Sequence, residues 1–413
     1  MDVNGPWTRA SQAAGLLVDG QARPTVFARM SALAARTGAA NLGQGFPETD
    51  PPEVVAEAAV AAIRAGRNQY PPGAGEAVLR EAVAEHQQRF HRLVWDPASE
   101  VLVTTGATEA LAATLLALVR PGDEVVTLEP FYDQYAAVIA LAGGVHRTIP
   151  VSSRTDERGD LVLEVEEAAV AAAFSARTRL VLVNTPHNPT GLMLPSPVLQ
   201  RLVDEAAAVD AVLVTDEVYE HLTYDGAVHT PLAALPGAQD RTVSISSAGK
   251  TFSVTGWKIG WVTARPELLT AITGVKQWLT YTSGAPFQGA VAEGLRLPDE
   301  AFTAIAEDLR ARRDLLVGGL REIGFRVAVP ASGYFVVADA APLGEADAAA
   351  LAERLPAEAG VVGIPLSAFY REGAAAQAPG GDARAYLRLA FCKDVPTIEQ
   401  ALERLDAWAA PRR

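Results

Sequence analysis

The sequence contains a single cysteine, Cys392, among 413 residues. An intrachain disulfide and a cysteine-rich zinc site are therefore excluded. Positive charge is in deficit: 35 Lys and Arg stand against 49 Asp and Glu, for a formal net charge of -14. Nucleic-acid and membrane-surface proteins need the opposite balance, so neither partner is expected. Long apolar runs are missing as well. The longest mostly apolar stretch, ALAATLLALV at 110–119, falls well short of the roughly 20 residues that span a bilayer. The N-terminal MDVNGPWTRASQAAGLLVDG has neither the basic start nor the apolar core of a signal peptide, and a soluble, cytoplasmic protein is the expectation. His86, His91, His146, His221 and His229 show no metal-binding spacing such as H-E-x-x-H, so no metal is expected. There is no fixed-period repeat, and no biased tract beyond richness in alanine.

Against these absences, 49% of the residues are hydrophobic and 20% charged, enough for a large core. A chain this long predicts a large domain with a smaller one. Short β-rich runs, VLVT (101–104), EVVTL (124–128), LVLVN (180–184), AVLVTDE (211–217), TVSISS (242–247) and IGWVT (259–263), are separated by helical patterns near 107–119, 132–142, 164–174 and 196–208. Continuous Val/Ile/Leu runs between helices predict an α/β fold whose mostly parallel sheet is covered on both faces. Past residue 290 a long helical stretch (299–323) leads into FRVAVP, YFVVAD, GVVGIP, YLRLAF and a last helix near 396–408, the texture of a smaller α+β domain. The expected division is 46–290 for the large domain and 291–413 for the small one, with 1–45 packing on the small domain. Segment 371–384 is expected to be a flexible loop.

The stretch SISSAGKTFSVTGWKIGW, 244–261, gathers three signals around Lys250. Gly249-Lys250-Thr251 resembles the end of a phosphate-binding P-loop, but Ser244 stands where that loop needs its first glycine. Ser247-Ala248-Gly249-Lys250 fits S-x-x-K, without the S-D-N and K-T-G elements of serine acylases. The third reading is a lysine that forms a Schiff base with a carbonyl cofactor. Pyridoxal phosphate needs a carboxylate at its ring nitrogen, donors at its phenolic oxygen, a phosphate cup and an aromatic lid. The chain offers them in order: VTTGATEAL (103–111) as strand, glycine turn and helix start, Tyr132 in EPFYDQY, Asn188 in VNTPHNPTG, then Asp216 and Tyr219 in VTDEVYEHL.

With TVFARMSALA, NLGQGFPE, NQYPPGAG, EPFYDQY, PHNPTG, TDEVYEHL, GAPFQ and YLRLAFCKD in this order, the chain resembles fold-type I, class I/II aminotransferases from Gly45 to Arg388 and somewhat beyond. Its texture is most similar to bacterial N-succinyldiaminopimelate and kynurenine/methionine-type enzymes. The resemblance implies that Lys250 carries pyridoxal 5'-phosphate and moves the substrate's Cα proton. It implies Asp216 at the pyridinium nitrogen and Asn188 with Tyr219 at the phenolic oxygen. Ser247, Lys258 and the N–H groups of Ala107 and Thr108 would hold the phosphate, with Tyr132 stacked on the ring. Arg388 would clamp the α-carboxylate, with Gly45 behind it and Asn188 beside it. Tyr70 would cross a homodimer interface to the partner's phosphate. Substrates would be an L-amino acid, glutamate above all, and a 2-oxo acid; lysine biosynthesis is the leading pathway. A kynurenine-, methionine- or glutamine-type aminotransferase and a cysteine-conjugate β-lyase use the same cofactor residues and stay open. A cofactor-sensing DNA-binding regulator does not fit the acidic charge.

For single residues plainer readings stand beside these. Arg388 could face solvent from an edge strand, Tyr70 and Tyr132 could be packing aromatics, and His187 reads as structural. Two departures from the family pattern touch substrate shape. Ser332-Gly333-Tyr334-Phe335 shifts the glycine of the usual G-x-Y-F by one, and Thr25-Val26-Phe27 offers no clear match to the N-terminal aromatic of kynurenine-type enzymes.

Overall fold

The computed structural model describes residues Gly5–Arg412, so the first four residues of segment 1–45 and of the N-terminal stretch read above lie outside it. Seven strands form the main sheet: β1 (Val101–Thr105), β2 (Glu124–Glu129), β3 (Val145–Pro150), β4 (Thr178–Asn184), β5 (Val212–Asp216), β6 (Thr242–Ser247) and β7 (Ile259–Thr263). Their spatial order is β1-β7-β6-β5-β4-β2-β3. All run parallel except β7, which is antiparallel to both neighbours, β6 and β1. The expected mostly parallel sheet is thus present.

Alternate residues of these strands serve two separate cores. Leu180 and Leu182 face one side with Val214 and Ile245, while Val181 and Val183 face the other with Val126 and Leu213. Both sides are apolar because helices cover both. Helix Ser196–Ala208 shows the matching pattern, burying Val198, Leu199, Leu202, Val203 and Ala206 along one stripe, each large aliphatic contributing about 1.5–3 kcal/mol.

A second sheet, all antiparallel, contains β8 (Arg326–Ala328), β9 (Phe335–Asp339), β10 (Ile364–Pro365) and β11 (Tyr386–Ala390) in the order β8-β9-β11-β10. Arg388 sits in β11 between Val337 and Ile364. It is an interior strand, and the solvent-facing edge position considered for this arginine is excluded. Helices named below are α1 (Pro6–Ala13), α2 (Val26–Thr37), α3 (Ala77–His91), α4 (Gly106–Leu118), α5 (Asp133–Ala142) and α6 (Asp299–Ile323). In the N-terminal segment, α2 and the pair Ala40–Asn41 lie against the C-terminal elements, Asn41 pairing in parallel with Val362. Helix α1 instead lies on α5, beside the main sheet. Segment 371–384 is held down rather than loose. Arg371 grips the buried Glu129 carboxylate through Nε and Nη2, the Pro379 carbonyl accepts from the Ser153 N–H, and two 3-10 turns close the loop. No helix among the described residues is long and apolar enough to cross a membrane.

Buried histidines give the fold a definite pH dependence. Burial lowers His86, His146 and His187 from the usual 6.5 to about 4 each. Between those values the unfolded chain binds protons that the folded chain does not, so stability rises with pH from about 4 to about 6.5. Each such histidine contributes a slope of about 1.4 kcal/mol per pH unit there. His91 runs the other way: burial lowers its pKa, but the hydrogen bond and charge of Glu220 raise it overall. Urea unfolding between pH 4 and 7 is expected to show steep acid destabilisation, and His187→Gln to remove about one proton from that linkage. An unchanged linkage in His187→Gln would contradict the burial of a neutral imidazole there.

Candidate active site

The carboxyl ends of β1, β2, β4, β5 and β6 meet at one edge of the main sheet, where open α/β folds bind ligands. Because β7 is antiparallel, its start lies at that same edge, bringing Lys258 in from the other direction. The chain turns there enclose a cavity of about 270 Å³ lined by Ala107, Thr108, Tyr132, Asn188, Asp216, Tyr219, Ser247, Lys250 and Lys258. Nine of the expected site residues, from six chain segments, therefore face one space. Gly45, Arg388 and Tyr70 do not line it.

Lys250 follows β6 in the short helix Ala248–Thr251. Its Nζ reaches the Gly45 carbonyl at 3.4 Å and lies 5.9 and 5.5 Å from the ring centroids of Tyr219 and Tyr334. Burial of the amino group lowers its pKa from 10.5 to about 8, against the opposing pull of Cys392 and Asp216. Asp216 ends β5, beside Asn184 of β4 and Ile245 of β6. It is 5% exposed, and burial raises its pKa. The Tyr135 hydroxyl donates to Oδ2 at 2.6 Å, and the Asn184 amide donates to the Asp216 carbonyl at 2.8 Å. A buried carboxylate at the cavity floor, with a neutral hydroxyl as its close side-chain partner, suits a cationic ring N–H.

The end of the cavity at α4 is built by close approach. Strand β7 passes the start of α4 so tightly that a Cβ at Gly260 would stand 2.6 Å from the Gly106 carbonyl carbon. Gly106 takes a left-handed φ of +69°, and a Cβ there would meet Lys258 Cε at 3.3 Å. Any larger residue would close the cradle between the helix N-terminus and the lysine. Lys258 Nζ donates to Thr108 Oγ1 at 3.1 Å and pairs with no carboxylate among the described residues. A cation, a helix N-terminus and Ser247 facing one space form a donor set for a dianionic group. The residues present fit pyridoxal phosphate.

One layer behind the cavity stands Arg388, 2% exposed. Its Nη1 donates to Asn188 Oδ1 at 3.1 Å and its Nη2 to the Gly43 carbonyl at 2.9 Å, while Nε has no partner. The guanidinium lies 3.8, 4.6 and 5.4 Å from the ring centroids of Phe335, Phe369 and Phe27. Burial lowers its pKa to about 10. No carboxylate among the described residues pairs with it, the condition of a site awaiting an anionic ligand. Phe27, which the sequence pattern left without a role, is part of this aromatic enclosure. Tyr70 is 81% exposed and packs edge-on against Tyr281, centroids 5.7 Å apart.

Several participants escaped the sequence reading. Asn184 ends the apolar run LVLVN and ties Asp216 to Asn188, whose N–H donates to its Oδ1 at 2.6 Å. Tyr135 follows Tyr132 by one helical turn. The Tyr334 hydroxyl donates to the Gly45 carbonyl at 2.5 Å. Polar ends of apolar strands and the i+3 spacing were the available signals for the first two. Nothing local marked the third. His187 is structural as read: its Nε2–H donates to the Pro130 carbonyl at 3.0 Å, so Nδ1 accepts from Thr190 at 2.7 Å. The histidines without metal spacing in sequence do converge in space. His86, Glu220 and His221 bring ligand atoms within 4.8 Å of one another. Two nitrogens on one tetrahedral zinc stand about 3.3 Å apart. His86 Nε2 and His221 Nε2 are 2.6 Å apart, a hydrogen bond rather than a shared ion.

A half-enclosed cavity joining a lysine of lowered pKa, a buried carboxylate and a phosphate cradle defines the class of a pyridoxal phosphate enzyme. Comparison with known proteins narrows it. Residues 37–405 match the family model described as aminotransferase class I and II. The chain is 47% identical over 386 residues to the probable N-succinyldiaminopimelate aminotransferase DapC of Mycobacterium tuberculosis, covering 93% of this chain and 96% of that protein. It is 37% identical to the methionine aminotransferase of Escherichia coli, covering 92% and 95%. The solved N-succinyldiaminopimelate aminotransferase of Mycobacterium tuberculosis superimposes with a TM-score of 0.88 at 46% identity, over 93% of this chain and 97% of that one. The chain belongs to the class I and II aminotransferase family and is a pyridoxal phosphate-dependent aminotransferase, acting on amino acids and 2-oxo acids.

Proposed function

We propose that this aminotransferase exchanges an amino group between glutamate and an N-succinylated 2-oxo acid, the reaction of N-succinyldiaminopimelate aminotransferase in lysine synthesis, as a cytoplasmic homodimer. The observation that carries the chemistry is the shared cavity of Lys250, Asp216 and Lys258. The substrate follows from 47% identity to a relative of that name over 93% of the chain. Bound pyridoxal phosphate supplies a carbonyl to take up the amino group and a ring to accept the electron pair left at Cα. Asp216 keeps a proton on the ring nitrogen. Tyr219 and Asn188 donate to the phenolic oxygen, while Lys258, Ser247 and the N–H groups of Ala107 and Thr108 bind the phosphate. Tyr132 covers the ring face and excludes water. Arg388 turns from Asn188 and Gly43 to the substrate's α-carboxylate, with Gly45 lining its approach. Lys250, with a pKa of about 8, is partly free amine at neutral pH, fit to attack a carbonyl and to carry the Cα proton.

Residues 46–290 form the large domain and 291–413 the small one; of the N-terminal segment, α2 packs on the small domain while α1 lies on α5 of the large one. The exposed aromatics Tyr70 and Trp278, 81% and 82% accessible, support an interface through which Tyr70 reaches the partner's phosphate. Incubation with N-succinyldiaminopimelate and 2-oxoglutarate is expected to yield glutamate, with kcat/KM above those for methionine and kynurenine. Preference for either of those, or release of pyruvate and ammonia from cysteine conjugates, would replace the substrate assignment.

A further inference from the structure

Behind the cavity, on the far side of the residues that hold the cofactor, lies a buried polar cluster that the reaction does not use. Helix α3 contributes His86 and His91, the turn after β5 contributes Glu217, Glu220, His221 and His229, and β6 contributes Ser246. Glu220 is its hub. Its side chain is 2% exposed, Oε1 accepts from Ser246 Oγ at 2.6 Å and Oε2 accepts from His91 Nε2 at 2.8 Å. Glu220 and Ser246 are each next to a residue assigned to the cofactor, while His91 ties them to a helix that carries none. Glu220 follows Tyr219, Ser246 precedes Ser247, and His91 ends α3. One carboxylate thus spans the turn bearing the phenolic-oxygen donor, the strand bearing a phosphate ligand and a helix from another layer.

We propose that Glu220 is a positioning residue, which through Ser246 and His91 sets the placement of Tyr219 relative to Ser247 and so the strength of the Tyr219 hydrogen bond to the cofactor's phenolic oxygen. This rests on the reading of Tyr219 as that donor. The cluster has the electrostatics of a rigid anchor. Burial would raise the Glu220 pKa, yet the His91 hydrogen bond and the neighbouring imidazoles bring it below the usual carboxylate range. The His91 pKa is raised in turn, so the two form a buried ion pair. Such a pair holds geometry firmly, because separating its members strands a charge in an apolar surround; here Phe90 and Phe302 pack on the imidazole of His221, at 4.6 and 4.4 Å. Glu217, whose Oε1 has no partner and whose Oε2 lies 3.7 Å from His229 Nε2, makes no comparable tie.

A donor to the phenolic oxygen favours its anionic form and lowers the pKa of the lysine–cofactor imine, which visible absorbance reports directly. The test is a pH titration of that band in the holoenzyme, with Tyr219→Phe setting the full effect of losing the donor. Glu220→Ala is expected to raise the midpoint by about 0.5–1 pH unit, a three- to tenfold change in proton affinity, and to weaken cofactor binding. Ser246→Ala, which leaves the ion pair intact, is expected to move the midpoint the same way by less. Glu220→Gln, which can still accept from Ser246, is expected to recover most of the wild-type value. Should Glu220→Ala fail to fold, Ser246→Ala still decides, since its midpoint is expected above the wild-type value. A wild-type midpoint in every folded Glu220 and Ser246 variant, with only the melting temperature reduced, would overturn the proposal. If Tyr219→Phe itself leaves the midpoint unmoved, the reading of Tyr219 falls instead.

Discussion

Lys250→Ala is expected to give a folded protein that still binds pyridoxal phosphate without a covalent link and whose turnover with glutamate falls by about 10⁴-fold or more. The removed side chain points into the cavity and anchors no core: its hydrogen bond is the 3.4 Å contact to the Gly45 carbonyl. The phosphate cradle of Lys258, Thr108 and Gly106 is untouched, and so is Asp216, so the forces that bring the cofactor in persist. What is lost is the buried amine whose pKa is lowered to about 8, and with it the proposed covalent anchor and carrier of the Cα proton. Circular dichroism checks the fold, and a single-turnover absorbance trace with glutamate checks the chemistry. Turnover within tenfold of the wild type would remove Lys250 from its role.

Asp216→Asn carries the second-largest effect. Asparagine matches the size of aspartate and can still accept from the Tyr135 hydroxyl, so packing should hold. It brings no negative charge. With Asp216 in its proposed role, the ring nitrogen would then have no reason to keep its proton, and the ring would become a poorer acceptor of the electron pair from Cα. Losing a preorganised electrostatic partner of this kind costs about 10²–10³-fold in rate. Stopped-flow measurement of the glutamate half-reaction is the check, with Tyr135→Phe expected to fall between the variant and the wild type. A rate for Asp216→Asn within threefold of the wild type would mean that the carboxylate serves the fold alone.

The site was legible in sequence where chemistry and strand ends coincide. Asp216, Tyr219 and Lys250 each follow an apolar β-run closely, and such runs in a parallel sheet deliver their trailing residues to one edge. The antiparallel direction of β7 was not legible from IGWVT, yet it decides that Lys258, preceding its strand, joins residues that follow theirs. Arg388 shows the reverse limit. YLRLAF reads equally well as an edge or an interior strand, and only its pairing with Val337 and Ile364 buries the guanidinium among Phe27, Phe335 and Phe369. Contacts across long separations were the least visible. Tyr334 meets Gly45 through the packing of the second sheet against the N-terminal segment, and the Glu220–His91–Ser246 tie joins three elements whose sequence patterns say only that each is buried. Segment 371–384, rich in Gly and Ala, reads as flexible because composition does not reveal that Arg371 will find a buried carboxylate 242 positions away.

The most direct test of the central assignment, Lys250 holding pyridoxal phosphate for transamination, is the visible absorbance of the purified protein before and after L-glutamate. A yellow protein whose band bleaches toward the pyridoxamine form is the expected result, and Lys250→Ala, holding the free aldehyde, should show neither the pH-dependent lysine–imine band nor the bleaching. A protein that remains colourless after incubation with pyridoxal phosphate, or a wild-type band that survives in Lys250→Ala, would contradict it.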